Sequence, residues 1–232
     1  MALYAIGDLH LSLGTNKPMD IFRGWDDYVP RLERSWRTLV AVGDTVVIPG
    51  DISWAMGLVE AREDFSFLHA LPGRKLLLKG NHDYWWTTRR KMDTFIAENG
   101  WDSLRIVHND AVRVGDVAVC GTRGWFYDAE QPLPDADNLV LQREVGRLRM
   151  SLEAGVKLGG ELVVFLHYPP LNEESICEEI LAVLREFPVR RCYYGHVHGP
   201  AIRRAFQGER DGVQFRLVAA DAVKFTPVLV EG

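Results

Sequence analysis

Leu76-Leu77-Leu78-Lys79-Gly80-Asn81-His82-Asp83 is an apolar run that turns, across one glycine, into three residues bearing oxygen or nitrogen ligand atoms. A short run of this kind reads as a buried strand. The same design recurs outward from it. Upstream stand Ala5-Ile6-Gly7-Asp8-Leu9-His10 and Val46-Val47-Ile48-Pro49-Gly50-Asp51. Downstream stand Val163-Val164-Phe165-Leu166-His167 and Cys192-Tyr193-Tyr194-Gly195-His196-Val197-His198. In open α/β sheets, ligands bind beyond the carboxyl ends of the strands. The repeated pattern therefore predicts a sheet and a metal-dependent active site at one edge of it. The clusters are widely separated along the chain, so only a folded sheet can unite them.

The intervening segments carry helical spacing. Leu32, Trp36, Leu39 and Val40 lie between the first two strands; Leu58, Val59, Phe65 and Leu68 lie between the second and third, with Pro72-Gly73 as a stop; Met92, Phe95 and Ile96 follow the third cluster. Alternation of strand and helix favours parallel strands with helices packed outside. Residues 104–120 read as short strands with turns at Asn109-Asp110 and Gly115-Asp116. Thr122 to Asp137 reads as a long loop, and long loops are often functional. A helix carrying Leu141, Val145, Leu148 and Leu152 ends at Gly159-Gly160, and another is expected over 173–186. Strands over 202–206, 213–219 and 226–230 are expected to close the chain as an antiparallel run, with turns at Gly208 and Asp211-Gly212. No repeat, low-complexity tract or linker is visible, so residues 1–232 are read as a single domain.

The chain has 232 residues, of which 47% are hydrophobic and 25% charged, an ordinary balance for a globular protein. A formal net charge of −5 argues against a nucleic-acid binder that works through bulk basicity. No stretch has the roughly 18–20 apolar residues needed to span a bilayer, and residues 2–6 already read as a strand rather than a signal peptide. Cys120, Cys177 and Cys192 lie in or beside apolar runs, and an odd count without short-spaced pairs suggests buried thiols in a reducing compartment. A cytoplasmic location is the expectation, with no membrane partner.

The clusters mix carboxylate, carbonyl and imidazole and contain no ligating cysteine, which suits borderline or hard ions and argues against a structural zinc site. In Asp8-Leu9-His10, alternate residues of an extended chain would project to one side. Asp51 has two oxygens and could bridge two ions, Asn81 offers a neutral carbonyl, and His167, His196 and His198 supply imidazoles. Two ions about 3.5–4 Å apart can share a water, lower its pKa and clamp phosphoryl oxygens. Neither a His-Glu-x-x-His helix nor a Gly-x-Ser-x-Gly elbow is present. His69 and His108 stand outside the clusters and are read as ordinary packed groups.

Asp8-x-His10, Gly50-Asp51, Gly80-Asn81-His82-Asp83, His167 and Gly195-His196-x-His198, in this order, resemble the calcineurin-like metallophosphoesterases. The stretch from Asp8 through Tyr84-Trp85-Trp86 to Gly121-Thr122-Arg123-Gly124-Trp125 looks like a compact bacterial branch of predicted phosphohydrolases in that family. The resemblance implies an α/β fold of four layers, αββα, in which a two-sheet β-sandwich is flanked by helices and the active site lies at the strand C-terminal ends. It implies a dinuclear phosphoesterase that uses a metal-bridging hydroxide on a small phosphomonoester or phosphodiester. One ion would be held by Asp8, His10, Asp51 and His198, the other by Asp51, Asn81, His167 and His196. His82 would protonate the leaving oxygen or stabilise the transition state, with Asp83 orienting its imidazole. Mn²⁺ is the first expectation for both ions, with Fe, Zn²⁺ or Mg²⁺ as alternatives.

Trp54, Trp85, Trp125 and Tyr168 follow ligand motifs or lie in the long loop, where rings could stack on a substrate. Arg123 could grip a phosphate oxygen, or equally form a surface ion pair. Arg89-Arg90-Lys91 and Arg203-Arg204 are read as solvated faces, and the segment from Gly14 to Asp27 as a loop over the site. The rival functions are a metal-dependent nuclease, for which the acidic balance is unfavourable, a hydrolase of nucleotide–lipid pyrophosphates, for which no apolar insertion is evident, and a non-catalytic binding protein on the same fold, which predicts missing ligands where none is missing.

Overall fold

The computed structural model describes residues 1–125 and 135–232. Two sheets lie face to face. The first contains β1 (Leu3–Ala5), β2 (Thr45–Pro49), β3 (Arg74–Leu78) and β4 (Leu104–Ile106), all parallel, with β11 (Val228–Glu231) antiparallel on the outer side of β1. The second runs in the order β5 (Val112–Val114), β6 (Val117–Thr122), β7 (Glu161–Leu166), β8 (Val189–Tyr194), β10 (Val213–Leu217) and β9 (Gly208–Arg210). Its central strands β6, β7, β8 and β10 are parallel.

Alternation within each apolar run explains the layering. Val47, Leu76 and Leu78 of the first sheet meet Val119, Val163, Phe165 and Tyr193 of the second between the sheets. Val46, Ile48 and Leu77 face the opposite way, against α1 (Tyr28–Leu39), α2 (Arg62–Ala70) and α3 (Arg89–Glu98). Leu162, Val164 and Leu166 likewise face α4 (Asp135–Leu158) and α5 (Glu178–Glu186). Strands buried on both faces need uninterrupted apolar runs, which is why the sequence pattern is unbroken rather than alternating. The result is the expected αββα arrangement.

Several local expectations differ from the structure. Residues 202–206 are not a strand: a 3-10 helix spans Gly199–Arg204, with Pro200 setting its first turn. The closing strands are not one antiparallel run, because β10 pairs parallel with β8 and β11 crosses to the first sheet. The helix expected from 173 starts at Glu178. Asn172 Oδ1 accepts hydrogen bonds from the amides of Glu174 and Ser175, both at 2.7 Å, and this local turn competes with helix. Leu58 and Val59 precede α2 rather than belonging to it. Most of the loop expected over Thr122 to Asp137 lies outside the described residues, and α4 begins at Asp135. Cys120, Cys177 and Cys192 are free, buried thiols. No helix among the described residues is long and apolar enough to cross a membrane.

The end of the first sheet remote from the ligand clusters has its own anchor. Lys75 is fully buried, and its Nζ donates to the carbonyls of Leu71 at 2.5 Å and Gly73 at 2.8 Å. It thereby satisfies acceptors just beyond the C-terminus of α2. Lys75→Met keeps the aliphatic volume but strands these carbonyls. It is expected to lower unfolding free energy by about 2 kcal/mol, read as a lower urea midpoint at unchanged m-value.

Candidate metal centre

Five strand ends deliver the clusters to one place. β1 runs into Asp8 and His10, β2 into Asp51, β3 into Asn81 and His82, β7 into His167, and β8 into His196 and His198. Asp8, His10, Asp51 and His196 have positive φ, at 58°, 46°, 49° and 72°. The expected extended geometry therefore does not pair Asp8 with His10. Both take left-handed backbone, an uncommon conformation for non-glycine residues that clusters at functional sites. Backbone bonds hold it: the Asp8 amide donates to Gly50 O at 3.0 Å and the His10 amide to Asp51 O at 2.9 Å. Tyr28 of α1 donates its hydroxyl to the His10 carbonyl at 2.9 Å.

The motif glycines follow from crowding. A Cβ on Gly195 would collide with the Asp8 carboxylate, and one on Gly80 with the Asp51 carboxylate. Only a residue without a side chain lets these backbones approach the ligands so closely.

Two overlapping sets of ligand atoms result, Asp8 with His10 and His198, and Asp8 with Asp51 and His167. Asp51 lies between the sets, with Oδ2 at 3.7 Å from His10 Nε2 and Oδ1 at 3.6 Å from His167 Nε2. Asn81 Oδ1 is 2.6 Å from His167 Nε2. His10 Nε2 and His198 Nε2 face each other at 3.4 Å, and His198 Nε2 is also 3.4 Å from Asp8 Oδ1. The His196 amide donates to Asp8 Oδ1 at 2.8 Å, while its ring stands against those of His167 and Tyr168, with centroids 5.1 and 4.3 Å away.

These residues fit divalent cations. Asp8 Oδ2 is buried with no hydrogen-bond partner among the described residues, although buried polar atoms are normally satisfied. Burial, followed by the Asp83 and Asp8 carboxylates, pushes the Asp51 carboxyl up to about 9. Crowded, buried carboxylates beside inward-facing imidazole nitrogens are the environment that a bound cation relieves. The far sides of two imidazoles are already engaged, as ligating histidines require. His167 Nδ1 is 3.2 Å from the Pro49 carbonyl, and His198 Nδ1 is 2.8 Å from Asp221 Oδ1. Burial opposes protonation of His198, but Asp8 and Asp221 outweigh it and raise the imidazole to about 10. Sequence reading missed Asp221. Its only signal was an acid directly after the apolar residues Leu217-Val218-Ala219-Ala220.

His82 stands at the edge of the cluster, its ring 5.7 Å from that of His10 and 4.5 Å from that of Trp54. Burial lowers its imidazole below the usual histidine range. The expectation that Asp83 orients this ring is corrected by the geometry. Asp83 is buried beneath the turn, where its carboxylate accepts from the amides of Gly80, Asp51 and Ile52 at 2.7, 2.9 and 2.8 Å and from Trp85 Nε1 at 2.9 Å. The nearest side-chain partner of His82 Nδ1 is instead the Tyr84 hydroxyl, at 3.3 Å.

The aromatic rim divides. Trp54 stacks on His10 with centroids 5.0 Å apart and carries Lys17 Nζ at 5.1 Å from its own. Tyr168 lies on His196, with Trp125 packed against it at 5.3 Å. Trp85 does not reach the rim: it is 2% exposed and packs edge-on against Phe65 in the helical layer. Arg123 forms the ion-pair alternative, with Nη2 at 3.4 Å from Glu144 Oε1 and its guanidinium over Trp125 at 4.9 Å. Glu144 is a fully buried α4 acid that also takes a hydrogen bond from Thr122 Oγ1 at 2.5 Å, and no local sequence signal marks it.

With two sheets flanked by helices and a carboxylate–imidazole cluster at their strand ends, the chain has the architecture of a metal-dependent phosphoesterase. Residues 1–200 match the family model described as calcineurin-like phosphoesterase, and the chain belongs to that family. No curated protein matches it. Among solved structures, it resembles the phosphopantetheinyl hydrolase PptH of Mycobacterium tuberculosis at 17% identity and a TM-score of 0.54, over 94% of this chain and 88% of that one. It also resembles TT1561 of Thermus thermophilus, at 11% identity and a TM-score of 0.51 over 99% and 97% of the two chains. A protein of unknown function from Aquifex aeolicus, AQ665, matches at 15% identity and a TM-score of 0.50 over 98% and 95%. At these identities the likeness is one of fold.

Proposed function

We propose that this protein hydrolyses phosphoesters with two divalent ions, one held by Asp8, His10, Asp51 and His198 and the other by Asp51, Asn81, His167 and His196. The observation that carries the reading is the position of Asp51, whose two carboxylate oxygens face His10 on one side and His167 on the other. When bound, such ions lower the pKa of water and neutralise charge on the phosphoryl group. Mn²⁺ is the first metal to test. The chain supplies the rest. His82 is near enough to the cluster to give a proton to the departing oxygen. Asp221 fixes the His198 ring so that Nε2 faces inward, and the Pro49 carbonyl does the same for His167.

The deciding test is hydrolysis of p-nitrophenyl phosphate and its bis-ester by protein whose metal content has been measured. A loaded protein no faster than the metal-free one would reject the proposal and favour the binding-protein alternative. Asp221→Asn is expected to lower kcat/KM by about 10–100-fold and to weaken metal binding by a similar factor. Calorimetric metal titration alongside the kinetics checks both effects.

A further inference from the structure

Beside the ligand cluster lies a cavity of about 870 Å³, bounded on its inner side by His10, His82 and His198. That volume falls within the range of small-molecule sites, about 300–1,000 Å³. It far exceeds what a phosphoryl group or a short alkyl ester needs. Its position is informative because His82 is in its wall. If the phosphorus sits at the ligand cluster, the oxygen leaving toward His82 carries the rest of the substrate into this space.

The lining is chemically one-sided. Met19, Phe22, Trp25, Trp54 and Pro200 form apolar walls. Phe22 remains 53% exposed despite being a large aromatic side chain. Arg23 and Arg203 also line the cavity, and no aspartate or glutamate lines it among the described residues. Neither guanidinium has a carboxylate partner among the described residues. The contrast within one dipeptide is direct: Arg204 Nη1 pairs with Glu174 Oε2 at 3.2 Å, whereas its neighbour Arg203 lines the cavity. Two guanidinium groups beside aromatic walls, without a compensating acid in the lining, form a receptor for an apolar group that carries an anion.

We infer that the cavity holds the alcohol portion of the substrate, and that this portion is an aromatic or extended apolar group bearing a second anionic substituent. The placement rests on the phosphoesterase reading for the position of phosphorus. Phe22, Trp25 and Trp54 contribute apolar contact, while Arg23 and Arg203 select the distal anion. Arg203 is exposed, as a solvated face requires, and on this inference it takes a specificity role as well.

The test compares benzylphosphonate with 4-carboxybenzylphosphonate, two non-hydrolysable probes that differ in one distal carboxylate. Calorimetry on the metal-loaded protein is expected to show about tenfold tighter binding of the carboxylated probe. The Arg23→Ala/Arg203→Ala double variant should bind the two probes equally, with its fold checked by circular dichroism. Equal binding by the wild type, or an advantage retained in the double variant, overturns the inference. Turnover of benzyl phosphate and 4-carboxybenzyl phosphate is measured in parallel, because their alcohols are similar leaving groups. Selective probe binding without turnover of either ester or of bis-p-nitrophenyl phosphate would uphold the anion-selecting cavity and reject the phosphoesterase reading.

Discussion

Asp51→Asn is expected to reduce phosphoester hydrolysis by on the order of 10³-fold while the protein still folds. The substitution is nearly isosteric. It keeps an oxygen able to accept the His82 amide hydrogen bond that Asp51 Oδ1 takes at 2.8 Å. What it removes is one negative charge and one of two ligand oxygens, at the point where Oδ2 faces His10 and Oδ1 faces His167. If a single ion used only the Asp8, His10 and His198 set, the loss of Asp51 would be a modest electrostatic change. If two ions share Asp51, both sites weaken together. Metal content distinguishes the cases: the wild type should retain two equivalents of Mn²⁺ and the variant fewer than one. Binding to the native state stabilises it by mass action, so Mn²⁺ should raise the wild-type melting temperature and leave that of Asp51→Asn nearly unmoved. Activity and stoichiometry equal to wild type would remove Asp51 from the centre of the site.

The candidate ligands were legible in the sequence because each follows an apolar run, and such runs become the parallel strands whose ends share one edge. The layers were legible for the same reason, since Val46-Val47-Ile48 can be apolar throughout only if both faces of β2 are covered. What escaped depends on partners distant in sequence. Nothing local states that Val213–Leu217 pairs with β8 while Val228–Glu231 crosses to β1. Asp221 is one acid among 32 acidic residues until the fold places it against His198. The aromatic clusters misled in one instance for a related reason. Trp85 and Tyr84 are neighbours in sequence, but the turn sends Trp85 into the helical layer and leaves Tyr84 49% exposed beside His82. Position after a motif identifies a loop; it does not say which side of the loop faces the site.

Asp83 gives the second large effect, and it separates a structural role from a catalytic one. Its carboxylate is 2% exposed and accepts from five donors: Gly80 and Asp51 amides on Oδ2, and Ile52 amide, Ser53 amide and Trp85 Nε1 on Oδ1. It therefore fastens the loop after β2 to the loop after β3, the two loops that carry Asp51 and Asn81. Burial raises its carboxyl to about 6, with the amide donors pulling the other way. In Asp83→Asn, an NH₂ group must face amide donors that formerly met an oxygen. At least two buried donors are left unsatisfied, at about 1–3 kcal/mol each. The expected loss is about 3 kcal/mol, or roughly 6–12 °C in melting temperature at about 2–4 °C per kcal/mol for a domain of this size. His82→Ala, by contrast, removes a partly exposed group with few fixed contacts. It should cost on the order of 10²-fold in kcat with a stability change within about 0.5 kcal/mol. Were Asp83 to act through the His82 imidazole, as the family resemblance implied, Asp83→Asn would displace the pH–rate profile at nearly constant melting temperature. A large thermal shift with an unmoved profile is the expected pattern, because the carboxylate spends all five observed bonds on the donors that fix the loops and none on the imidazole.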